Sequence, residues 1–475
     1  MSINYEKFLN FRKQYPVFTY ESFHVTRSEN NLFIDFLFIV DEQIKFQPTI
    51  TIPARSFYRI NDLSDDQINL LAFHIGMIEL VSYWKATCSP KVVIKPFILS
   101  NVQIEWWKKL YFQGLGEFFY LNEIQTTQSE FMTIECASDL VLEKQHFDLD
   151  EKIIVPIGGG KDSVVTLELL RQSHLELRPM IINPRGATLN CAKIAGFERE
   201  QIIEVNRTIH PRLLELNTQG FLNGHTPFSA MLAFVSLLTS AITGMKHIAL
   251  SNESSANEST VLGQDINHQY SKSLEFENDF RDYVKNFISD DFNYFSFLRP
   301  LNELKIADYF SKFPQYHSVF RSCNVGSKDD VWCNNCAKCL FAYIILSPFI
   351  EPKKLIQIFG TDLLNKQNLK PEFDQLIGTK NVKPFECVGT IDEVNVALNL
   401  HIQRFSNHTP TLIEYYKTLP NYTEQPVDIT NEFLNEHNLS PIFLNCHSVG
   451  AYCIRPDEND QKKGVCNTPL QHTQK

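Results

Sequence analysis

Short apolar runs alternate with longer helix-like segments from residue 152 onward. Runs of this length, with few polar positions, are typical of strands that are buried on both faces. Their alternation with helices predicts βαβ units and a parallel sheet. We predict an α/β fold with five such strands, at residues 153–157, 179–183, 201–205, 247–251 and 294–298.

One helix of this region is almost entirely apolar. Thr226 suits the N-cap and Pro227 the first helical position, and Gly244 follows the apolar residues 228–242 as a stop signal. A helix that is apolar on all sides is normally buried. We therefore expect this one to pack deep inside the protein.

The region before the parallel sheet mixes strand-like and helix-like runs. Ser64 and Gln67 have the spacing of a capping box and predict a helix over 64–84, and a second helix is predicted over 101–113. No recognisable catalytic motif lies in this region. We predict that residues 1–148 form an N-terminal α+β domain.

The chain after the parallel sheet has weaker helical signals and more Asn, Gln and Pro. We assign residues 149–350 to the central domain and 351–475 to a small C-terminal helical region. The last segment, 455–475, is mostly polar and is expected to be mobile.

Length and charge narrow the possible functions. A chain of 475 residues is long enough for two or three domains, and its net charge of −11 disfavours nucleic acid as the main partner. The N-terminal segment is charged, and no stretch reaches the roughly 18 apolar residues of a membrane span. We expect a cytoplasmic enzyme that binds neither membranes nor nucleic acid; the sequence does not indicate its oligomeric state.

A glycine-rich loop follows the first predicted strand of the parallel sheet. Gly158, Gly159 and Gly160 precede Lys161, Asp162 and Ser163, where a helix is expected to begin. Backbone N–H groups at such a helix start form a site for phosphate or pyrophosphate. A tight turn without a ligand is the alternative, and Lys161 either reaches a phosphate or is solvated.

This loop is not a Walker A motif, because Val155 stands at the first glycine position and Asp162 follows the lysine. It resembles instead the Ser-Gly-Gly-x-Asp-Ser loop of the N-type ATP pyrophosphatases (PP-loop enzymes), with Gly158 in place of the serine. The resemblance implies a PP-loop fold, cleavage of ATP between the α and β phosphates, and a requirement for magnesium. In such a sheet Asn183, at the end of the next strand, would lie near the nucleotide.

Four cysteines predict a metal site. Cys323, Cys333, Cys336 and Cys339 have the spacing C-x9-C-x2-C-x2-C, which suits a tetrahedral ion. A structural zinc that stiffens one wall of the active site is the first hypothesis. An iron–sulfur cluster and four free buried thiols are the alternatives.

Two further stretches contain candidate catalytic residues. The long polar segment 251–277 follows the fourth predicted strand and is typical of a substrate-binding loop. The motif KPFECVG, from Lys383, contains a thiol that is either catalytic or structural. Together the two stretches contain five candidate residues, Glu253, His268, Lys272, Glu275 and Cys387.

Several phrases together resemble the MurL family of UDP-N-acetylmuramoyl-L-alanyl-L-glutamate epimerases. They are IGGGKDS, WWKKL…GLGEFFYLN from Trp106, ELNTQGFLNGHTPFSA from Glu215, LSNESSANES from Leu250, NHQYSKSLEFE from Asn267, WCNNCAKCLF from Trp332 and KPFECVG. The resemblance extends over roughly residues 60–400 and fades after about Ala397.

The resemblance implies an ATP-dependent inversion of the terminal L-glutamate through an acyl-adenylate, with release of AMP and pyrophosphate, in peptidoglycan precursor synthesis. One base and one acid would then act on the two faces of the glutamate Cα, and the candidates for these proton transfers are Glu253, His268, Lys272, Glu275 and Cys387. A single base with a flexible intermediate is the alternative. The UDP-sugar dipeptide would be the small-molecule substrate. The alternatives are another adenylating enzyme, similar to 7-cyano-7-deazaguanine synthase or to tRNA-modifying PP-loop enzymes, and an inactive nucleotide-binding module.

Overall fold

The computed structural model describes residues 3–29, 31–427 and 429–449. Its strands are β1 Val17–Arg27, β2 Asn31–Val40, β3 Ile44–Phe46, β4 Thr49–Pro53, β5 Lys91–Ile94, β6 Thr133–Cys136, β7 Asp150–Pro156, β8 Leu177–Ile182, β9 Ile203–Arg207, β10 Met245–Leu250 and β11 Asn293–Ser296.

The α-helices of the same residues fall into three groups along the chain. The first group is α1 Ile3–Gln14, α2 Asp65–Trp84, α3 Asn101–Gly114 and α4 Gly116–Leu121. The second is α5 Lys161–Leu170, α6 Gly186–Ile194, α7 Pro211–Thr218, α8 Phe228–Thr243, α9 Leu274–Phe287, α10 Glu303–Ser311 and α11 Ala337–Leu346. The last is α12 Pro352–Phe359, α13 Lys370–Leu376, α14 Ile391–Arg404, α15 Thr411–Tyr416 and α16 Pro441–Val449.

The second half of the sheet is parallel, in the order β11-β10-β7-β8-β9. Its central strand, β7, is apolar from Ile153 to Pro156 and is buried there on both faces. All five predicted strands overlap these five within a few residues, so the predicted α/β class with a parallel sheet is confirmed. The carboxyl ends of β7 and β8 lead directly into the glycine-rich loop and the loop that begins at Asn183.

The N-terminal strands continue the same sheet. β4 pairs antiparallel with β9, and the order proceeds through β2 and β1 to β5 and β6, with β3 attached to β2. A buried ion pair reinforces the junction: Arg207 of β9 donates two hydrogen bonds of 2.8 Å to the Glu79 carboxylate of α2. Hydrogen bonds thus join strands that precede residue 148 to strands that follow it. The division into three domains stays a prediction.

The predicted ends of three helices can be compared with the structure one by one. The capping box of Ser64 and Gln67 is present, and α3 covers the helix predicted over 101–113. Gly244, with φ +66°, ends α8 as expected. Thr226 as the N-cap is wrong: Pro227 holds that position, because its own carbonyl accepts the first helical hydrogen bonds, from Ala230 and Met231.

Helices cover both faces of the sheet and form two cores. α2 and α8 pack on one face with the N-terminal strands, and α5, α10, α11 and α14 pack on the other. The C-terminal helices extend the second core, where the ring of Phe443 in α16 lies 4.5 Å from that of Phe295 in β11. The predicted C-terminal helical region is confirmed; the predicted mobile end, 455–475, lies outside the described residues.

Within the described ranges, no helix combines the length and apolar composition that a membrane crossing requires. The apolarity of α8 is explained by burial inside the protein, as its sequence pattern predicts, since residues from Ala230 to Thr243 are almost all inaccessible.

Candidate active site

The glycine-rich loop joins β7 to α5, which begins at Lys161. Gly159 has φ +78°, and an added Cβ would lie 2.9 Å from the backbone of Ala187 and Thr188. A Cβ on Gly160 would lie 2.8 Å from the Ser322 hydroxyl oxygen, whereas one on Gly158 would meet no atom within 4 Å. Gly159 is therefore required by conformation and space. A Cβ on Gly160 would press only on the mobile end of the Ser322 side chain, and Gly158 has open space around it.

Lys161 points away from solvent, into a pocket of carboxylates. Its ammonium group donates to the carboxylates of Asp162 and Glu303, and its side chain is almost fully buried. Burial alone would lower the pKa of Lys161, but the two carboxylates outweigh this and raise it. Lys161 is thus neither solvated nor free to leave this pocket without breaking two buried ion pairs. The Ser163 hydroxyl donates a hydrogen bond of 3.0 Å to the Gly160 carbonyl and so ties the end of the loop to the first turn of α5.

The carboxyl groups near Lys161 outnumber its single positive charge. Burial raises the pKa of Glu303 to about 8, and the charges of Asp162 and Glu253 act in the same direction. The Glu393 carboxylate accepts a hydrogen bond of 2.8 Å from the Glu303 backbone N–H. Glu303 and Glu393 were not predicted from the sequence, because each stands at the start of a helix, where a glutamate is common for its capping effect.

A cavity of about 330 Å³ opens beside the glycine-rich loop. Gly158, the end of β8 and the segment 321–330 line it. Asn183 is part of the wall, but its side chain is engaged with the backbone of Arg207, which donates to Oδ1 at 2.8 Å and accepts from Nδ2 at 3.1 Å. Asn183 therefore shapes the wall and has little capacity left for a ligand.

A second group of polar side chains surrounds Cys387. The Lys272 ammonium donates to the Cys387 sulfur at 3.0 Å. His268 is also hydrogen-bonded to Cys387, and its Nδ1 atom lies 2.5 Å from the Glu117 carboxylate. His225 is adjacent, with its ring centroid 4.4 Å from that of His268. Three of the five predicted proton-transfer residues, His268, Lys272 and Cys387, are thus brought together.

The charges of this group are unusual for neutral pH. Burial alone would raise the pKa of the Cys387 thiol, but the charge of Lys272 and the hydrogen bond of His268 outweigh it and lower the pKa to about 5. Burial would lower the pKa of His268, whereas its hydrogen bonds with Cys387 and Glu117 raise it to about 9. At neutral pH the pair is therefore a thiolate and an imidazolium.

Lys272 connects this group to the glycine-rich loop. Its pKa is raised, against the effect of burial, by the charges of Cys387, Glu253 and Asp162. In return, Lys272 helps Lys161 to lower the pKa of Asp162 against the effect of burial. Lys338 also lowers the pKa of both Asp162 and Cys387, so the loop and the thiolate share two cations and form one site although they are more than 200 residues apart in the sequence.

The other two predicted proton-transfer residues, Glu253 and Glu275, lie at different distances from the group around Cys387. Glu253 is buried near Lys272, and its backbone carbonyl accepts a hydrogen bond of 2.6 Å from Arg299. Glu275 is on the first turn of α9, where its largely exposed carboxylate pairs with Lys109 at 2.7 Å. The structure therefore brings Glu253 to the site and leaves Glu275 apart from it.

The four predicted cysteines also converge. The sulfur atoms of Cys323, Cys333, Cys336 and Cys339 all lie within 4.8 Å of one another, and those of Cys333 and Cys339 are 3.7 Å apart. These residues could hold a metal ion. The segment that carries Cys323 packs on the glycine-rich loop, since the Arg321 backbone N–H donates to the Gly159 carbonyl at 2.8 Å.

Comparison with known proteins identifies the family. The MurL N-terminal domain model matches residues 10–297, and the MurL C-terminal domain model matches residues 316–428. The chain belongs to the MurL family. The C-terminal match continues past Ala397, so the expectation that the resemblance fades there is wrong.

Three relatives of this chain carry the same name, UDP-N-acetyl-alpha-D-muramoyl-L-alanyl-L-glutamate epimerase. The protein of Salinispora tropica is 32% identical over 399 residues, which is 82% of this chain and 85% of the relative. That of Micromonospora sp. is 30% identical over 399 residues, 82% and 87% of the two chains. That of Xanthomonas oryzae pv. oryzae is 31% identical over 370 residues, 76% and 81% of the two chains. The chain is accordingly an epimerase, and thus an isomerase.

The cluster around Cys387 combines both matched MurL regions. Glu117, His225, His268 and Lys272 belong to the first, and Cys387 belongs to the second. Glu117 and His225 were not predicted as site residues. The only sequence signal for them was their presence in the phrases GLGEFFYLN and ELNTQGFLNGHTPFSA, which carry the resemblance.

Proposed function

We propose that this chain converts the terminal L-glutamate of UDP-N-acetylmuramoyl-L-alanyl-L-glutamate to D-glutamate, with ATP activating the glutamate α-carboxylate as an acyl-adenylate. AMP and pyrophosphate are released, and the product serves peptidoglycan precursor synthesis. The substrate class comes from the names of the relatives. The observation that carries the proposal is Lys272, whose charge acts on both Asp162 of the glycine-rich loop and Cys387.

Adenylation prepares the substrate for proton removal. Deprotonation of Cα beside a carboxylate builds a second negative charge on the same group, whereas a mixed anhydride carries no such charge. The glycine-rich loop and the start of α5 would hold the pyrophosphate end of ATP. The cavity of about 330 Å³ beside Gly158 would hold its nucleoside end.

Magnesium fits the oxygen-rich side of the site. The carboxylates of Asp162, Glu253 and Glu303 supply the donors that this ion prefers, and their mutual repulsion contributes to the raised pKa of Glu303. Magnesium would neutralise charge on the phosphates. We therefore propose that Glu253 serves the nucleotide side of the reaction and not proton transfer at Cα.

Inversion at Cα is assigned to the group around Cys387. We propose that the Cys387 thiolate removes the α-proton and that a neighbouring cation, Lys272 or His268, returns a proton to the opposite face. Glu117 orients His268 through its Nδ1 atom and stabilises the imidazolium. Glu275 is given no role here, because its carboxylate is paired with Lys109 away from Cys387.

Zinc fits the four cysteines better than an iron–sulfur cluster does. With a Zn–S bond of about 2.3 Å, tetrahedral geometry places neighbouring sulfurs about 3.8 Å apart. The distance of 3.7 Å between the sulfurs of Cys333 and Cys339 matches this value. The cysteines of a four-iron cluster each bind a different iron and stand further apart. We propose a structural zinc that supports the glycine-rich loop through the Arg321 contact.

The function is tested by incubating the protein with the UDP-linked L-Ala-L-Glu substrate, ATP and magnesium in deuterated water. We expect D-glutamate after hydrolysis, deuterium at its Cα, and AMP formation that depends on the substrate. Asp162→Ala should abolish both AMP and D-glutamate formation without unfolding the protein. Inversion in the absence of ATP, or undiminished inversion in Asp162→Ala, would refute the adenylation route.

A further inference from the structure

Three side chains beside Cys387 face one another with atoms that bind metals. Glu117 lies in α4, His225 precedes α8, and His268 precedes α9. We call these three residues the histidine–glutamate group. A Glu117 carboxylate oxygen is 2.5 Å from Nδ1 of His268 and 3.6 Å from Nδ1 of His225. One ligand atom of each residue lies within 4.8 Å of the other two, so the group is compact enough to hold one ion.

His225 is the least engaged member of the group. No hydrogen bond joins its ring to another described residue, and its contact with Glu117 is longer than a hydrogen bond. Its side chain is 25% exposed. A hydrated ion from solvent can therefore reach His225 and, through it, the Glu117 carboxylate.

Another pair of histidines with a carboxylate shows what is specific to this group. His408 stands between its two neighbours, with Nδ1 3.1 Å from the ring of His401 and Nε2 3.0 Å from the Asp362 carboxylate. These three residues form a chain, because each nitrogen of the middle ring faces a different neighbour. Among the described residues, only the four cysteines and the histidine–glutamate group bring three or more such ligand atoms together within 4.8 Å.

The donor atoms indicate which ion fits. Two imidazole nitrogens and one carboxylate oxygen suit zinc and related divalent transition metals. Magnesium prefers oxygen ligands alone. Three protein ligands also leave one coordination position for water, as in zinc sites that are open to solvent.

An ion in the group has to replace a proton. With bonds of about 2.0–2.2 Å, the ligand atoms around a tetrahedral zinc stand roughly 3.4 Å apart. The contact of 2.5 Å between Glu117 and Nδ1 of His268 must therefore lengthen, and the proton that it holds is released to solvent. This cost, together with the smaller number of ligands, makes the ion more weakly bound than one held by the four cysteines.

We propose that the histidine–glutamate group reversibly binds one divalent transition-metal ion of the zinc class, and that this ion inhibits inversion at the glutamate Cα. An imidazole with an ion on Nδ1 is a weaker acid than an imidazolium, because loss of its remaining proton leaves an imidazolate. His268 then no longer returns a proton to Cα. The inhibitory part rests on the proposed function and assigns that proton to His268, whereas the binding part is independent of it.

The binding test uses the full-length protein with the metal that it carries as purified. Cobalt(II) is the probe, because its visible d–d absorption changes when protein ligands replace water. We expect one further ion per chain, which zinc displaces and magnesium does not. Elemental analysis should show that the original metal is retained, which separates this site from exchange at the four cysteines.

His225→Gln should lose the cobalt absorption, because it removes one of three ligands. His408→Gln is the matched control and should keep it, since His408 is 22% exposed and also lies between a histidine and a carboxylate. Glu117→Gln is the second test variant, should His225→Gln fail to fold, and it too should lose the absorption. Thermal unfolding shows which variants are folded.

Inhibition is measured with the UDP-linked substrate, ATP and excess magnesium. D-glutamate formation by the unmodified protein should fall with increasing zinc, with the same concentration dependence as zinc binding. Substrate-dependent exchange of pyrophosphate into ATP should persist at the same zinc concentrations. A chelator that is too weak to remove the original metal should restore inversion.

The site is overturned if no further cobalt binds, or if the folded test variants bind it as tightly as His408→Gln does. Saturation with zinc that leaves inversion unchanged, or that abolishes pyrophosphate exchange equally, overturns the inhibitory role. Failure of the proposed function is distinct, because D-glutamate is then absent without any added ion. The cobalt titration still decides in that case whether the site exists.

Discussion

The Lys272 ammonium lies 3.0 Å from the Cys387 sulfur, although the two residues are 115 positions apart in the chain. Lys272 precedes α9 and Cys387 precedes α14, so their contact joins the two matched regions of the family. Because the same ammonium also lowers the pKa of Asp162, a change at either end of the site alters the other electrostatically. The two ends nevertheless carry different groups, the glycine-rich loop and the Cys387 thiol, so mutations can separate activation from inversion.

Replacing Cys387 should stop inversion while preserving activation. We expect Cys387→Ala to lower the rate of D-glutamate formation by roughly 10²–10⁴-fold, the usual loss for a proton-transfer group. Substrate-dependent exchange of pyrophosphate into ATP should persist, because the glycine-rich loop is intact. Chiral analysis and exchange assays measure the two steps separately.

Cys136→Ser is a matched control for this variant. Cys136 is a half-buried cysteine at the end of β6, remote in sequence from both motifs, and its sulfur accepts only the Leu99 backbone N–H, which a serine can also do. It should retain full activity. If Cys387→Ala inverts glutamate at the normal rate, Cys387 is not the base.

The rate should depend on pH at both limits of the thiolate–imidazolium pair. Cys387 has a pKa lowered to about 5, so kcat/KM should rise as the pH increases through that value and the thiolate forms. His268 has a pKa raised to about 9, so kcat/KM should fall as the pH increases through that value and the imidazolium is lost. A bell-shaped profile of kcat/KM is the measurement.

Lys272→Gln provides the check on the acidic limb. Loss of the ammonium leaves burial less opposed, because His268 and Lys338 then remain as the groups that lower the pKa of Cys387. The acidic limb should shift to higher pH, and alkylation of Cys387 by iodoacetamide near neutral pH should slow. An unshifted limb with unchanged alkylation contradicts the assignment of the limb to Cys387.

The parallel half of the fold could be predicted because its signal is local. Strands such as β7 contain an uninterrupted apolar run, here Ile153 to Pro156, and the glycines that follow mark a turn into a helix. The pairing of β4 with β9 has no such signal, since it depends on how two distant segments meet. The sequence therefore indicates the elements but not the single sheet that they form.

The candidate site likewise combines residues with a local sequence signal and residues that only the fold brings together. Cys323 to Cys339 lie within one short stretch, so their convergence follows from spacing alone. Glu117 and His268 are 151 positions apart, and apart from the phrase GLGEFFYLN nothing distinguishes Glu117 from other glutamates at the start of a helix. Glu275 was predicted as a candidate because of its segment, but the turn that begins α9 directs it to Lys109.

The first glycine of the loop should tolerate the serine that the pyrophosphatase loops have. Gly158→Ser should bind ATP within about twofold of the unmodified protein, because a Cβ there meets no atom within 4 Å. Gly159→Ala should lose AMP formation and about 1–3 kcal/mol of stability, because φ +78° strains any residue with a Cβ. Pyrophosphate exchange and thermal unfolding test both variants. Equal behaviour of the two would show that the loop changes conformation when ATP binds.

Removing one cysteine of the metal site should impair activation without touching the groups at Cys387. In Cys336→Ser we expect the bound metal to fall well below the one zinc per chain predicted for the unmodified protein, as measured by elemental analysis. Without the ion, the segment at Cys323 is less constrained, and so is the contact between the Arg321 N–H and the Gly159 carbonyl. The KM for ATP should therefore rise, while alkylation of Cys387 keeps its low pH threshold.

Cys136→Ser again serves as the control, with normal zinc and normal KM. A zinc-free Cys336→Ser protein with an unchanged KM for ATP would mean that the ion does not support the loop, and that the Arg321 contact is sustained by packing of the surrounding core alone.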